Sequence, residues 1–310
     1  MKTSVIIPTY NRPRDLERCL MSILRQSRRP DEVIVVDDGD LADMPCRKAL
    51  EQTGIRCVFK KKSQKGLTRS RNLGIKSAGG DIILFFDDDV VLTPNYIREI
   101  AKVYESGFDR DLGGVSGIDM NLKPPAFPQY IEFLYNVIFL ISPVRPGGVT
   151  RSGFSEQVLT ARVNPFRKIA GADTLGGSGF SFHKNVFSRF LFSEDYPDNH
   201  CQGEDKDFSL RVSRQYNLYI QPAARLYHYH SPIERPLKFK RGRDNILSAY
   251  RLFSRYIRCS KYEMVLFYYS FLGIFLKFST RVFIVWEKGE IDRIKGLIDA
   301  FKIVRKNKVI

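Results

Sequence analysis

The stretch IILFFDDDVV, residues 82–91, joins an apolar run directly to three consecutive carboxylates, Asp87, Asp88 and Asp89. An apolar run of this length is typical of a strand buried on both faces of a parallel sheet. Open α/β sheets place their ligands at the carboxyl ends of the strands, where these aspartates lie. Clustered carboxylates in a basic chain favour a bound hard cation, Mg²⁺ or Mn²⁺. The alternative is a polar turn that closes the strand without a ligand.

Further strands are predicted upstream of this stretch. Residues 4–8 (SVIIP) and 32–36 (EVIVV) are short apolar runs, and residues 15–26 between them carry apolar side chains at helical spacing. The second run ends in the polar sequence DDGD, and a third strand is predicted at residues 55–59. Right-handed crossovers place the loops after parallel strands at one edge of the sheet. The sequence therefore predicts an α/β fold of the Rossmann-like kind, with a mostly parallel sheet, flanking helices and an acidic edge.

The composition is that of a basic globular protein. The 310 residues, 43% of them hydrophobic, are enough for one large α/β domain or two smaller ones. Lys and Arg number 50 against 34 Asp and Glu, so the formal charge is +16, which favours an anionic partner: nucleic acid, a membrane surface or a phosphorylated small molecule. The cysteines are Cys19, Cys46, Cys57, Cys201 and Cys259. They are scattered without a CxxC pair, so neither a disulfide framework nor a zinc site is predicted, and a reducing cytosol is the default.

Two segments bear on membrane insertion. The amino terminus, MKTSVIIPTYNR, lacks the apolar stretch of a signal peptide and passes directly into the first predicted strand. The apolar run at residues 264–276 is shorter than the about 20 residues that cross a bilayer, and Lys277 and Arg281 interrupt its continuation. A conventional spanning helix is therefore not expected.

The remaining polar loops supply candidate ligand-binding groups. Arg71 lies in GLTRSRNLGI, residues 66–75, where a glycine loop leads into a helix and suits a phosphate or nucleotide. Residues 121–174 show no clear period and are rich in proline and glycine, so we expect a substrate loop region rather than core. A helix is predicted at residues 208–216, preceded by Glu204 and Asp205, whose alternative role is helix capping.

Two of the four histidines, His228 and His230, lie with one residue between them. Short strands are predicted at residues 218–220 and 224–229, and the second of these ends at the two histidines. From the strand assignment we expect the two rings to face opposite ways, so that they do not share one metal. One of them is a candidate metal ligand, and the alternative is a pair of partly buried surface histidines.

Seven motifs occur in a fixed order along residues 1–235. They are SVIIPTYNR, VIVVDDGD, GLTRSRNLGI, ILFFDDDV, GGSGFSF, GEDKDFSLRV and LYHYHSP. In this order they resemble family 2 glycosyltransferases of the GT-A fold. Each motif alone is weak, and the resemblance depends on all seven in sequence.

The resemblance implies a donor-binding and catalytic domain at residues 1–235, with a divalent metal and a nucleotide diphosphate sugar as donor. Asp87 and Asp89 match the metal-binding DxD positions, and which of the three aspartates binds the metal directly is open. The equivalents of the family's nucleoside-binding and cofactor-binding positions are Pro8, Thr9, Asp38, Arg71, Asp87 and Asp88. Asp205 falls at the catalytic base with Glu204 beside it, and His228 matches a histidine that binds the metal or diphosphate.

The chemistry of sugar transfer agrees with this assignment. Displacement of a diphosphate at an anomeric carbon needs charge neutralisation on one side and a base for the acceptor hydroxyl on the other. A metal at Asp89 supplies the first and Asp205 the second, which predicts a single displacement with inversion of configuration. The resemblance thus implies a hexosyltransferase-type enzyme acting on a glycan or lipid-linked acceptor. The alternative is a non-catalytic nucleotide-sugar-binding or scaffolding protein on the same fold.

Residues 236–310 lie outside the recognisable catalytic part and are predicted to be a basic, aromatic-rich helical region. Basic residues precede the aromatic stretch at residues 262–286, and a basic tail runs from residue 302 to residue 308. Such a segment suits the surface of an anionic membrane, with Tyr262, Tyr268, Tyr269 and Trp286 at headgroup level. We therefore expect a cytoplasmic protein, peripheral at the inner face of the cell membrane. The alternative is a helical subdomain packed on protein, and no specific nucleic-acid-binding motif is found.

Overall fold

A computed structural model describes residues 1–62, 64–176, 178–195, 203–231, 237–258, 260–285 and 288–306. The chain forms two compact units, each built from two separate segments. Unit 1 comprises Met1–Leu122 and Phe166–Ile233, and unit 2 comprises Lys123–Pro165 and Glu234–Ile310. Residues 123–165 therefore group with the C-terminal helices, although they lie within the range 1–235 that was predicted to be the catalytic domain. The predicted boundary after residue 235 lies outside the described residues.

Unit 1 is built on one mixed sheet. Among the described residues its nine strands are β1 (Thr3–Thr9), β2 (Glu32–Asp37), β3 (Arg56–Lys61), β4 (Ile82–Phe86), β5 (Val90–Leu92), β6 (Leu112–Asp119), β7 (Ala170–Ala172), β8 (Gly179–His183) and β9 (Asn217–His228). The order is β3-β2-β1-β4-β8-β6-β9-β5, with β7 also paired to β9. The first four strands in this order are mutually parallel, while β8 runs antiparallel to β4 and β6. This confirms the predicted mostly parallel α/β sheet.

The central strands are apolar throughout because both of their faces are covered. In β1, Val5 and Ile7 face one core cluster and Ile6 faces the other. In β4, Leu84 and Phe85 divide between the two clusters in the same way. Successive side chains of a strand point to opposite faces, so an uninterrupted apolar run requires a protein layer on each side. This accounts for the lack of the polar–apolar alternation of a half-exposed sheet.

The helices complete the two layers of unit 1 and form the body of unit 2. Those of unit 1 are α1 (Pro13–Leu24), α2 (Arg47–Glu51), α3 (Leu67–Ser77), α4 (Tyr96–Glu105) and α7 (Glu204–Val212). Those of unit 2 are α5 (Phe127–Ile138), α6 (Gln157–Val163), α8 (Lys238–Leu252), α9 (Lys261–Val285) and α10 (Lys288–Arg305). A 3₁₀ helix spans Lys184–Ser188, and a π-helical segment, Phe253–Ile257, follows α8. The C-terminal helical region was therefore predicted correctly.

Two local predictions differ from the structure. The helix predicted at residues 208–216 begins at Glu204, because Gly203 adopts a left-handed backbone (φ 84°) that ends the preceding loop. The strands predicted at residues 218–220 and 224–229 are one strand, β9. Its pairing with β6 jumps from Ile220 to Arg225 across an irregularity that contains Pro222, a position where strands tolerate proline.

The segment predicted as a substrate loop region, residues 121–174, contains α5 and α6 and part of the core of unit 2. Its prolines lie outside the helix interiors, and Pro128 occupies the first turn of α5, where a missing N–H has no cost. Ile141 and Phe154 are buried with Tyr250, Phe253 and other residues of the C-terminal helices. The prolines hide the helical period in the sequence, although they flank the helices and do not break them.

Helix α9 is longer than the sequence pattern suggested. It continues past the apolar run 264–276 and through Lys277 and Arg281 to Val285. Its segment Lys261–Val282 is long and apolar enough to cross a membrane by length and composition alone, a test that a buried helix of a soluble protein also passes. The helix is longer than the apolar run because Lys277 and Arg281 do not end it. The expectation that no conventional helix spans a membrane stays a prediction, since length and composition alone do not test it.

Candidate functional site

The carboxyl ends of β1, β2 and β4 meet at one edge of the sheet, as predicted. Thr9 ends β1 and pairs in register with Asp37 at the end of β2. Strand β4 lies on the other side of β1, with Phe85 opposite Ile6, and its chain continues into Asp87. Parallel neighbours in this register bring the DDGD loop and the DDD turn to the same end of the sheet. The acidic edge is thus a consequence of strand order.

The three consecutive aspartates have different partners. Asp88 accepts a hydrogen bond from the hydroxyl of Thr9 (2.7 Å) and one from the guanidinium of Arg12 (3.3 Å), and it is buried. Burial raises the pKa of the Asp88 carboxyl to about 7, against the opposing effects of Thr9 and Arg12. Asp88 is therefore held against the end of β1. Asp87 and Asp89, in contrast, both lie near His228.

Asp87, Asp89 and His228 form a group that fits a divalent metal. One ligand atom from each of them lies within 4.8 Å of the others. The Nε2 atom of His228 lies 2.9 Å from Oδ1 of Asp89, whose second oxygen accepts a hydrogen bond from the backbone N–H of Ser231 (2.8 Å). His228 is brought there because β9 pairs with β5, where His228 is opposite Val90. Two carboxylates with one imidazole are a donor set that Mn²⁺ accepts in proteins.

The charges of this group depend on each other. Burial alone would raise the pKa of Asp89, yet the hydrogen bond and charge of His228 lower it to about 2. Conversely, burial opposes protonation of His228, but Asp89 and Asp87 raise its pKa above the usual value. Burial also raises the pKa of Asp87, while the nearby Arg71 opposes that shift. A protonated His228 would balance the same two carboxylates that a metal cation would bind.

Arg71 and Glu204 form a buried ion pair beside Asp87. Nη1 of Arg71 donates to Oε1 of Glu204 at 2.8 Å, and Nη2 lies 3.4 Å from Oδ1 of Asp87. Arg71 is 1% exposed, and its guanidinium lies over the rings of Phe180 and Phe192. Burial and the adjacent charge of Asp205 raise the pKa of Glu204, and the charge of Arg71 opposes this. Arg71 therefore links the start of α7 to the acidic turn after β4.

Among the acids at the start of α7, Asp205 is the most accessible. Its side chain is half-buried and accepts a hydrogen bond from the backbone N–H of Lys206 at 2.8 Å. Glu204 is buried against Arg71, and Asp207 is fully buried and bonded to Nε of Arg211 at 3.2 Å. The charge of Asp205 contributes to the raised pKa values of Asp87 and Glu204, so it acts on the same site.

The DDGD loop is held by its first two aspartates. Asp37 accepts hydrogen bonds from the backbone N–H groups of Gly39 and Leu41. Asp38 binds Nζ of Lys62 at 2.6 Å, and it also accepts hydrogen bonds from the backbone of Gly66 and the hydroxyl of Ser70 in α3. These bonds fix the loop after β2 to the start of α3. Pro8 is buried near the end of β1, directly before Thr9.

The expectation that His228 and His230 face opposite ways is wrong. Successive side chains of a strand alternate, so residues two apart such as His228 and His230 share a face, and the strand assignment itself did not separate them. Strand β9 ends at His228, and His230 follows with a left-handed backbone (φ 49°). The two rings lie with centroids 3.9 Å apart. Asp119, His228 and His230 also place one ligand atom each within 4.8 Å of the others, so the two imidazoles can approach a common cation.

Three groups of this site were not predicted from the sequence. Arg12 contacts Asp88 and lies 3.8 Å from Asp89, Asp119 accepts hydrogen bonds from the backbone of His228 and Asn121, and Ser231 donates its N–H to Asp89. Arg12 could have been suspected from the motif PTYNR, which directly follows the first strand. The other two depend on how β9 and β6 are placed, for which the sequence carries no local signal.

Comparisons with known proteins match the first segment of unit 1 and the residues that follow it to one family of enzymes. Residues 4–150 match the family described as glycosyl transferase family 2. Uncharacterized glycosyltransferase YwdF of Bacillus subtilis is 38% identical over 34% of this chain and 39% of its own length. An uncharacterized glycosyltransferase of Rickettsia conorii is 38% identical over 71% of this chain and 34% of its own length. The hyaluronan synthase of Pasteurella multocida is 28% identical over 73% of this chain and 24% of its own length. The chain spans less than half of the length of these curated relatives.

Solved structures support the same fold. The structural alignment with S. aureus TarS covers 82% of this chain and 39% of the TarS chain, with a TM-score of 0.51 and 18% sequence identity. A second solved structure is mannosyltransferase PcManGT from Pyrobaculum calidifontis, in complex with GDP-Man and Mn²⁺. Its alignment covers 97% of this chain and 87% of the PcManGT chain, with a TM-score of 0.58 and 14% sequence identity. The sheet of unit 1 has the GT-A fold, and residues 4–150 carry the glycosyl transferase family 2 domain.

Proposed function

We propose that this protein is a metal-dependent, inverting glycosyltransferase that moves a sugar from a nucleotide diphosphate donor to a glycan or lipid-linked acceptor. The observation that carries the proposal is the convergence of Asp87, Asp89 and His228 within 4.8 Å at the carboxyl end of β4. A second group, Asp205 at the start of α7, lies close enough to shift the pKa of Asp87. A cation site and a separate carboxylate are the two requirements of a displacement at an anomeric carbon.

In this proposal Asp87, Asp89 and His228 hold Mg²⁺ or Mn²⁺. When bound, the cation neutralises the charge that develops on the diphosphate leaving group. The hydrogen bond from Ser231 orients the second oxygen of Asp89, as supporting groups of metal ligands commonly do. The Mn²⁺ complex of the structural neighbour from P. calidifontis agrees with a divalent cation in this fold.

Asp205 is the proposed catalytic base. Glu204 has its carboxylate engaged by Arg71, and Asp207 is fully buried against Arg211, so neither is as available to an acceptor hydroxyl. A base placed apart from the leaving-group site takes the proton while the acceptor oxygen attacks the opposite face of the sugar. One displacement of this kind inverts the configuration at the anomeric carbon, without a glycosyl-enzyme intermediate.

The nucleotide is proposed to lie along the ends of β1 and β2. Pro8 and Thr9 form the end of β1, and Asp38 is oriented by Lys62, Gly66 and Ser70, which leaves a defined polar rim there. Asp88 supports this rim through its hydrogen bond with Thr9. Because Arg71 is 1% exposed, we assign it the role of positioning Asp87 and Glu204.

We further propose that the protein works at the inner face of the cell membrane, as a peripheral protein, where a lipid-linked acceptor is found. The formal charge of +16 supports attraction to anionic lipid. Of the four aromatic residues expected at headgroup level, Tyr262 and Tyr269 are exposed, and Tyr268 contacts Phe301 of α10. Trp286 lies outside the described residues, as does the end of the basic tail.

The test of the proposed chemistry is a thermal-stability screen of UDP- and GDP-sugars, each with Mn²⁺ and with EDTA. A ligand of the folded state raises the apparent stability by mass action, so one sugar nucleotide should stabilise the protein only when Mn²⁺ is present. The donor found in this way is then supplied with candidate glycan and lipid-linked acceptors, and release of nucleotide diphosphate is measured. Binding without transfer to any acceptor would favour a non-catalytic sugar-nucleotide-binding protein. Stabilisation that is equal in EDTA would contradict the proposed cation site.

A further inference from the structure

Helix α5 presents an apolar stripe to solvent. Five of its large side chains are 48% to 77% exposed, and they recur at intervals of three or four residues: Phe127, Tyr130, Ile131, Leu134 and Ile138. This spacing places them on one side of the helix. Isolated exposed apolar residues are normal on proteins, but a continuous stripe of five marks an interaction surface.

Helix α9 carries a second stripe of the same kind. Its five most exposed large apolar side chains are 39% to 62% exposed and again follow helical spacing: Tyr262, Val265, Tyr269, Leu272 and Leu276. The opposite side of the helix is buried, with Phe267, Ser270 and Ile274 almost inaccessible. Helix α9 is therefore apolar on both sides, and the described residues of the protein cover only one of them.

The two helices lie side by side within unit 2. The hydroxyl of Tyr135 in α5 donates to the carbonyl of Gly273 in α9 at 2.7 Å, and the ring of Phe139 stacks on Tyr269 at 5.0 Å. Nζ of Lys277 binds Glu132 at 2.6 Å. Since later residues of α5 contact earlier residues of α9, the helices are antiparallel. Together their stripes form one apolar surface, the α5–α9 face, defined by the ten residues named above.

The charge of the protein is concentrated in the unit that carries this face. Unit 2 contains 22 Lys and Arg against nine Asp and Glu, a formal charge of +13, out of +16 for the whole chain. Exposed basic residues also flank the stripes along the chain: Lys123 precedes α5, Arg258 and Lys261 lie at the start of α9, and Arg281 lies near its end. An apolar strip bounded by cationic residues is complementary to an anionic lipid surface.

The packing of α9 favours a position along the membrane surface over one across it. Phe267 contacts Tyr250 and Phe253, and Tyr268 and Phe271 contact Phe301 of α10. For α9 to be surrounded by lipid, these contacts with α8, α10 and the π-helical segment would have to separate. With the contacts kept, only the exposed stripe is available to acyl chains, as in an interfacial helix.

We propose that the α5–α9 face is the surface by which this protein docks on an anionic lipid bilayer, with both helices parallel to the membrane plane. This inference rests on the proposed membrane location and is independent of the proposed sugar transfer. The proposed membrane location rested on the C-terminal region alone, and α5 now forms half of the docking surface. Helix α5 lies in the segment whose sequence pattern suggested a substrate loop. The apolar stripes enter the headgroup region and the basic flanks contact the lipid phosphates.

The test is flotation of the full 310-residue chain with phosphatidylcholine vesicles that contain or lack phosphatidylglycerol. The wild type should float with the anionic vesicles, and the double variant Leu134→Glu/Leu272→Glu should stay at the bottom. Each substitution is expected to lower the partition coefficient about tenfold, because an apolar contact with lipid is replaced by a charge. The matched control is Leu191→Glu, which makes the same change at an exposed site of unit 1 and should float as the wild type does.

Two further measurements distinguish loss of membrane docking from misfolding and from self-association. Circular dichroism should be the same in the wild type and the double variant, which would show that the variant is folded. Mn²⁺-dependent stabilisation by the donor nucleotide should also be the same, which would show that donor binding does not depend on membrane docking. Sedimentation velocity should show a monomer for both proteins. Wild-type protein that does not float, or a double variant that floats equally well, would overturn the proposal. A wild-type dimer that dissociates in the variant would instead assign this face to a second copy of the chain.

Discussion

His228 and Asp89, which are 139 residues apart in sequence, meet with 2.9 Å between Nε2 and Oδ1 at the carboxyl edge of the sheet. The contact exists because β5, which directly follows the DDD turn, pairs antiparallel with β9. The carboxylate keeps a pKa of about 2, and the imidazole has a raised pKa. Because Asp89 is charged and contacts His228 in the proposed cation site, it is the residue at which we test cation binding.

Asp89→Asn should abolish the Mn²⁺ dependence of nucleotide diphosphate binding. Even groups that only support a metal ligand contribute about 10–100-fold to affinity, so loss of a ligand should weaken binding by at least about 100-fold. Isothermal titration calorimetry with UDP and GDP, in Mn²⁺ and in EDTA, measures this. The control is Asp81→Asn, at the other end of β4, where the carboxylate pairs with Lys184. Equally tight binding of nucleotide to the wild type in EDTA would contradict the proposed role of the cation.

Asp205→Asn should leave donor binding intact and reduce transfer by about 10²–10⁴-fold, the range for removal of a general base. The amide keeps the shape of the side chain but accepts no proton from the acceptor. Calorimetry gives the donor affinity and nucleotide release gives the turnover, so a fall in kcat without a change in donor affinity is expected. Turnover equal to that of the wild type would move the base to Glu204 or Asp207.

Arg71→Met should destabilise the fold by about 3–5 kcal/mol, because it leaves the buried carboxylate of Glu204 without its partner. The double variant Arg71→Met/Glu204→Gln removes both charges and should recover a large part of this loss. Urea unfolding of the wild type, both single variants and the double variant gives the coupling energy of the pair. Strictly additive effects would mean that Arg71 stabilises the protein through its contacts with Phe180 and Phe192 and not through the ion pair.

Gly74→Ala should destabilise the protein, although alanine is the better helix former by about 1 kcal/mol. A Cβ atom at Gly74 would clash with Cγ2 of Ile6, a buried branched side chain in the middle of β1. Overpacking of this kind costs about 1–3 kcal/mol. Gly176→Ala is the control, since nothing lies within 4 Å of its added Cβ. Urea unfolding that shows Gly74→Ala to be more stable than the wild type would mean that α3 can move away from β1.

Glu105→Gln should reduce stability near neutral pH and have less effect in acid. A hydrogen bond from Arg28 lowers the pKa of Glu105 from 4.5 to about 2. A carboxyl whose pKa is lower in the folded state stabilises the protein above the unfolded pKa, and this contribution is lost as the pH falls from about 4.5 toward about 2. The side chain is 35% exposed, so the difference at pH 7 should be below about 1 kcal/mol. Urea unfolding of both proteins at several pH values checks this, and a difference that grows in acid would contradict it.

Local sequence was sufficient for the central strands and for the family. The runs in β1, β2 and β4 are continuously apolar because both faces of each strand are covered, so length and composition identify them without knowledge of their neighbours. The acidic turn follows directly from β4, and the seven motifs lie in the order expected of the family. These features were predictable because each strand and each motif is a short run of consecutive residues.

Tertiary structure alone decided how the side chains of the site divide their roles. Asp87, Asp88 and Asp89 are alike in sequence, and only the structure shows that Asp88 bonds to Thr9 while Asp87 and Asp89 lie with His228. The expectation of opposite faces for His228 and His230 was wrong because residues two apart along a strand share a face, and their rings lie 3.9 Å apart. Which carboxylates His228 meets depends on partners far away in the chain.

The same distinction applies to unit 2. Composition showed that the C-terminal region is basic and aromatic, whereas the grouping of residues 123–165 with it, and the contact between Tyr135 and Gly273, come from folding. Which apolar side chains are buried and which are exposed is set by the neighbours they meet, not by their identity. Ile138 and Ile141 are the same residue type in one segment, yet the first is exposed and the second lies in the core. Sequence therefore determined the elements and the chemistry available, and tertiary packing determined which residues meet and which face outward.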